Sequence, residues 1–128
     1  MKYLKTIIIV AVIILFGYLY LTRNSDEPGK YDSFAQCLKD SGAKFYGSYQ
    51  CIHCKTQKDM FGNSADLLPY IECGALGGPQ SLVCQQAGIT SYPTWDFPDG
   101  ERISGSLSFD VLSKHTNCTL IKWFKTKL

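Results

Sequence analysis

The chain has 128 residues, 13 of them basic and 11 acidic, and six cysteines. That length allows one small domain. Lys2 and Lys5 stand apart at the N-terminus; without them eleven basic residues meet eleven acidic ones, so the composition implies no nucleic-acid partner.

Tyr3 to Leu21 is almost entirely apolar, with one break at Lys5. At about 1.5 Å per residue, a helix over this run comes close to the roughly 30 Å hydrocarbon core of a bilayer. Residues 1–22 are therefore read as a signal anchor, a transmembrane helix. Lys2 and Lys5 lie in the cytoplasm by the positive-inside rule, and everything after Thr22 lies outside, in the periplasm or at the cell exterior. A cleaved signal peptide is the alternative, but "FGYLYLTRNSDE" offers no small-x-small cleavage site.

Residues 23–30, with Pro28-Gly29, read as a linker. The domain proper is expected over 31–119. "YDSFAQCLKDSG" spaces Tyr31, Phe34 and Leu38 as a helix, stopped by Gly42. "AKFYGSYQ" reads as a strand running into Cys51, and "CKTQKDMFG" as a helix. "LPYIEC" is a strand, "GALGGPQ" a loop and "SLVCQQAG" a short helix. "YPTWDF" and "ERISG" are strands joined by a hairpin at Pro98–Gly100. "SFDVLSKHT" is a last helix with Ser108 as N-cap. "LIKWFKTKL", residues 120–128, is a basic and apolar tail that packs back on the domain or lies on the membrane surface. The order α-β-α-β-α-β-β-α predicts a mixed central sheet with helices on both faces. Parallel pairing is expected across the helical crossovers, with one antiparallel edge from the hairpin.

"YQCIHCKTQ" carries the chemistry. Six cysteines in so short an exported chain point to an oxidising compartment. A haem attachment would need His directly after Cys54, where Lys55 stands. Zinc would need a second pair; His115 and Cys118 complete a set only on paper, and His115 reads as a surface helix residue. A structural disulfide between Cys51 and Cys54 would close a very small ring and remove little chain entropy. Two reduced core thiols do not suit the compartment. The redox reading has a mechanism. At the end of a strand and the start of a helix, Cys51 meets unpaired N–H groups and a partial positive charge. His53 adds a charge or a hydrogen bond, so Cys51 is expected to be the more acidic thiol and the nucleophile. Cys54, covered by the helix, resolves the mixed disulfide. His53 and Ile52, between the cysteines, tune a potential that ranges from about −270 mV in thioredoxin to about −120 mV in DsbA.

In "SYPTWDF", a proline opening a strand suggests a cis Tyr92–Pro93 bond. Tyr92, Pro93 and Thr94 would present backbone groups to an extended substrate beside the sulfurs; an ordinary edge-strand proline is the alternative.

"FYGSYQCIHCKTQKDMFG", "YIEC" and "GITSYPTW" together resemble the thioredoxin superfamily. More narrowly they resemble the thioredoxin-like, DsbA-like domain associated with bacterial vitamin K epoxide reductase homologues, from about Phe34 to about Thr119. The resemblance implies a thioredoxin-like fold, Cys51 as nucleophile, Cys54 as resolving cysteine and Pro93 as the cis-proline. It implies exported protein thiols as substrates and a quinone-linked, vitamin K epoxide reductase-like membrane enzyme as re-oxidant, with no cofactor or metal in this chain. Phe45 stands six residues before Cys51, where thioredoxins carry a buried aspartate. The resemblance also pairs Cys73 with Cys84 around the glycine-rich loop. Cys37 and Cys118 are then left to pair, although a thioredoxin fold puts their helices on opposite faces; a free Cys118 is the alternative. The "NCT" sequon at Asn117 is taken as chance. The leading expectation is a membrane-anchored oxidant of exported proteins. The alternatives are a reductase or isomerase fed by a membrane electron donor, and a non-catalytic binding module that uses the groove at Pro93.

Overall fold

A computed structural model describes residues 2–22 and 28–120. Most of the expected linker (23–27) and most of the C-terminal tail (121–128) lie outside the described residues. The first element is helix α1, Lys2–Thr22, long and apolar enough by length and composition to cross a membrane.

The remaining elements are α2 (Asp32–Asp40), β1 (Lys44–Gly47), α3 (Ile52–Asp59), a 3₁₀ helix (Gly62–Leu67), β2 (Tyr70–Glu72), α4 (Leu82–Gln86), β3 (Thr94–Asp96), β4 (Arg102–Ser104) and α5 (Phe109–Thr116). Their order is the expected one, with the 3₁₀ helix added. The sheet runs β2-β1-β3-β4. β1 pairs in parallel with β2, while β1–β3 and β3–β4 are antiparallel.

The antiparallel β1–β3 pair corrects the expectation of parallel pairing at each helical crossover. A parallel return needs the connection to carry the chain back along the whole strand. Here the connection stays where β2 ends. The Ser81 N–H donates to the Cys73 carbonyl at 2.9 Å, and Cys73 is bonded to Cys84 of α4. β3 therefore starts at the end of the sheet where β2 stopped.

Side chains alternate along β1 and divide the core in two. Phe45 faces one cluster with Phe34 and Leu38 of α2, Cys54 of α3, Trp95 of β3 and Leu112 of α5. Tyr46 faces the other, with Cys73, Cys84 of α4 and Ile89. Helices thus cover both faces. The register sets Phe45 opposite both Tyr70 and Trp95. Its ring stacks on Trp95 at 4.6 Å and meets the edge of Tyr70 at 5.1 Å, so one aromatic row crosses three strands.

α2 has no side-chain cap. Burial of Phe34 and Leu38, at roughly 1.5–3 kcal/mol each, outweighs the absence of a cap, worth about 1 kcal/mol. α5 is capped by Ser108, whose hydroxyl accepts from the Val111 N–H at 3.4 Å. Asn117 ends it in the left-handed region, at φ 58°.

Cys118 follows at once and is bonded to Cys37, with Cα atoms 5.8 Å apart. The expected separation of these helices on opposite faces is corrected here. α2 and α5 pack against the same apolar cluster, so the two cysteines meet. His115 is also corrected. Its ring is only 15% exposed, stacks on Phe97 at 5.0 Å and pairs through Nδ1 with Asp99 Oδ2 at 2.7 Å. The Asp99 carboxyl is held below its usual range by the Glu101 N–H and by His115.

Candidate redox site

β1 ends at Gly47, sooner than the strand read from "AKFYGSYQ". A turn follows, closed by the Cys51 N–H on the Ser48 carbonyl at 3.0 Å and by the Gln50 N–H on Ser48 Oγ at 3.3 Å. This turn delivers Cys51 to the N-cap of α3 in extended conformation, φ −81° and ψ 117°. The Cys51 carbonyl accepts the first helical bond, from the Lys55 N–H at 3.1 Å. Cys54 lies in the first turn. The helix period carries it under the rim, where it is 2% exposed against 7% for Cys51. Both sulfurs are free thiols, while the other four cysteines form two disulfides, Cys37–Cys118 and Cys73–Cys84.

The Tyr92–Pro93 bond is cis. The Tyr92 carbonyl, just before β3, accepts from Cys51 Sγ at 3.5 Å. Two segments 41 residues apart in sequence thereby meet at one sulfur. Pro93 and Thr94 are buried beside this contact. Gln80 holds the Tyr92 ring: its Nε2 donates to the Tyr92 hydroxyl at 2.5 Å and to the Ile89 carbonyl at 3.0 Å. Ile52 and His53 are exposed, and the His53 carbonyl accepts from Ser106 Oγ at 2.9 Å.

The two thiols are not equivalent. Burial pushes Cys54 up to about 12, and the adjacent Cys51 adds to the rise. The Ser48 backbone N–H and the Lys58 charge act in the opposite direction, without cancelling it. Cys54 is therefore a poor nucleophile toward solvent near neutral pH, which leaves the rim thiol, Cys51, to meet an incoming sulfur.

Sequence reasoning missed four residues around Cys54. A Cβ on Gly47 would lie 2.9 Å from Cys54 Sγ and 2.7 Å from Tyr70 Cε2. Only glycine lets the strand come this close. Lys58 Nζ sits 3.2 Å from the centroid of the Tyr70 ring, and the Tyr70 hydroxyl donates to Glu72 Oε2 at 2.7 Å. Burial and the Glu72 contact raise Tyr70. Burial also acts to raise Glu72, but hydrogen bonds from Tyr70, Gly74 and Tyr49, with the Lys58 charge, hold it below its usual range. The signals were present in period only: Lys58 is four residues after Cys54 on a helix, and Tyr70 and Glu72 are two apart on a strand. A cavity of about 400 Å³ lined by Lys44, Asp96, Phe97 and Arg102 opens at the other end of β1 and takes no part in this site.

A rim thiol, a buried partner three residues on and a backbone carbonyl beside the first make a dithiol suited to thiol–disulfide exchange. No family model matches the chain. It is 38% identical over 93 residues to the thiol-disulfide oxidoreductase LTO1 of Arabidopsis thaliana, an alignment covering 69% of this chain. The chain spans 24% of that relative's length. The likeness supports a relationship to thiol–disulfide oxidoreductases.

Proposed function

We propose that this chain is a membrane-anchored thiol–disulfide oxidoreductase of thioredoxin-like fold that donates the Cys51–Cys54 disulfide to exported proteins. The observation that carries the reading is the asymmetric pair, with Cys51 Sγ at the Tyr92 carbonyl and Cys54 buried behind it. The β2-β1-β3-β4 order, with the CxxC helix after β1 and Tyr92–Pro93 just before β3, supports the thioredoxin-like assignment.

In this reading a substrate thiolate attacks Cys51 of the disulfide. A mixed disulfide forms, and Cys54 leaves as the thiolate. A second substrate thiolate then attacks the substrate sulfur, closes the product disulfide and releases Cys51. The substrate loses two electrons and the pair gains them. A quinone-linked, vitamin K epoxide reductase-like membrane partner takes them back. Lys2 and Lys5, in the first turns of α1, favour a cytoplasmic N-terminus, with the remainder outside.

The test is the reduction potential of the Cys51–Cys54 pair in the full-length chain in detergent, equilibrated against glutathione. Mass analysis keeps the other two disulfides apart from the active pair. A value above about −180 mV is expected. A value near −270 mV would overturn the oxidant reading in favour of a reductase fed by a membrane donor. Partner capture that survives Cys51→Ser undiminished would point instead to a binding module.

A further inference from the structure

Opening a Cys51–Cys54 disulfide leaves a negative charge on a sulfur that is 2% exposed. Bulk water does not reach it freely, so its proton must come by way of a neighbour. Cys51, the N-cap of α3, and Lys58 on α3 face it from the helix side, and Tyr70 from β2, with Glu72 behind it on the Tyr70 hydroxyl; the turn after β1 offers the Ser48 N–H. Phe45 on β1 is wholly buried and apolar.

These neighbours are arranged around one ring. Cys54 and Lys58 are one helical turn apart on the same face of α3. Lys58 Nζ lies 3.2 Å from the centroid of Tyr70. The edge of that ring and Cys54 Sγ both border the space above Gly47, at 2.7 and 2.9 Å from the same point. The Tyr70 hydroxyl is tied to Glu72 Oε2 at 2.7 Å. Glu72 Oε1 in turn is held by the N–H groups of Tyr49 at 3.2 Å and Gly74 at 2.8 Å. A pinned carboxylate therefore anchors the ring, and the ring seats the ammonium group where its charge reaches the buried thiol. Lys58 itself is partly exposed, so it can exchange protons with water.

We propose that Lys58, positioned by Tyr70 and Glu72, carries the proton to and from Cys54 during thiol–disulfide exchange. The inference rests on Cys51 and Cys54 being the exchanging pair. When a substrate thiolate bonds to Cys51, the Cys51–Cys54 bond breaks and its electron pair stays on Cys54. That sulfur takes a proton from the Lys58 ammonium, through water where the two do not touch. The neutral amine recovers a proton from solvent. In the reverse step the amine removes the Cys54 proton, and the thiolate attacks the mixed disulfide at Cys51 and expels the substrate thiolate.

The test uses the full-length chain in detergent, with the pair reduced and both other disulfides intact. It is mixed with an aryl disulfide whose released thiolate is coloured. Attack by Cys51 releases the first thiolate at a rate that depends on reagent concentration. Attack by Cys54 releases the second at a rate that does not. Lys58→Ala is expected to slow the second phase about tenfold at neutral pH, and to move its rise with pH toward the alkaline side. The first phase should stay within twofold. Added ethylamine should restore the second phase in proportion to its concentration, and sodium chloride at equal ionic strength should not.

Glu72→Gln is expected to move the same phase in the same direction, about threefold; equal loss in both phases would mark a structural defect and remove it from the assignment. A second phase indifferent to Lys58, slowed in step with the first, or slowed without rescue by the amine would overturn the proposal. Absence of any second phase in the unaltered chain would overturn the exchanging pair itself, and the proposal with it.

Discussion

Gly47 shows how much of this site depends on single atoms. A methyl group there would meet Cys54 Sγ and the Tyr70 ring inside van der Waals contact. Gly47→Ala is expected to cost about 1–3 kcal/mol, read as a lowered denaturant midpoint of the reduced protein. Cys54 gives a pH prediction. Its thiol is pushed up from 9.0 to about 12, so folding favours the neutral form. That contribution is full below the ordinary thiol range and is lost as pH rises through about 12. In the oxidised protein Cys54 does not titrate. The melting temperature of the reduced form should therefore fall relative to that of the oxidised form as pH rises above about 9, checked by paired thermal scans. At this scale the sequence was legible where chemistry is local: the spacing of Cys51 and Cys54 names the pair. Tyr70, Glu72 and Lys58 were not legible, because their meaning comes from a meeting of helix and strand across Gly47.

Elements differ from their sequence expectation chiefly at their ends. β1 stops at Gly47 because Ser48 captures both the Cys51 and Gln50 N–H groups. The 3₁₀ helix Gly62–Leu67 has no hydrophobic period to announce it. It is held by Ser64, wholly buried, whose hydroxyl accepts the Tyr31 N–H at 2.9 Å. α3 is tied to the segment before α5 by Gln57, also wholly buried. Its Oε1 accepts from the Leu107 N–H at 2.6 Å, and its Nε2 donates to the Leu107 carbonyl at 3.1 Å. Gln57→Leu keeps the apolar stem and leaves both Leu107 groups buried without partners. A loss of about 2 kcal/mol or more is expected, measurable by urea denaturation. A change under about 0.5 kcal/mol would mean that water reaches Leu107.

For the whole molecule, the two disulfides do different work. Cys37–Cys118 spans 81 residues and closes almost the entire domain on itself, whereas Cys73–Cys84 spans 11. On loop-closure entropy the long bridge stabilises by about 4.5 kcal/mol and the short one by about 3 kcal/mol. Paired serine substitutions should therefore separate two effects. Cys37→Ser with Cys118→Ser should lower global stability with little effect on exchange at Cys51. Cys73→Ser with Cys84→Ser should also slow exchange, because this loop carries Gln80, which holds Tyr92, and Gly74, which holds Glu72. Denaturation and exchange kinetics on the same preparations check both. Equal effects of the two pairs on exchange would contradict this division.

By itself the sequence determined the apolar N-terminal helix, the order of helices and strands, and the pair of cysteines separated by two residues. Each of these is written in a run or a period shorter than one element. Only the tertiary structure decided that β3 lies antiparallel to β1, that α2 and α5 share one apolar cluster, and that His115 pairs with Asp99. It also decided which atom of the expected Tyr92–Pro93 segment, the Tyr92 carbonyl, reaches Cys51, and that a lysine and a glutamate meet at the Tyr70 ring near Cys54. Those facts depend on which faces are buried together, and burial is a property of the folded whole: strands 20 or more residues apart must pair before any of these groups come within a few ångströms of one another.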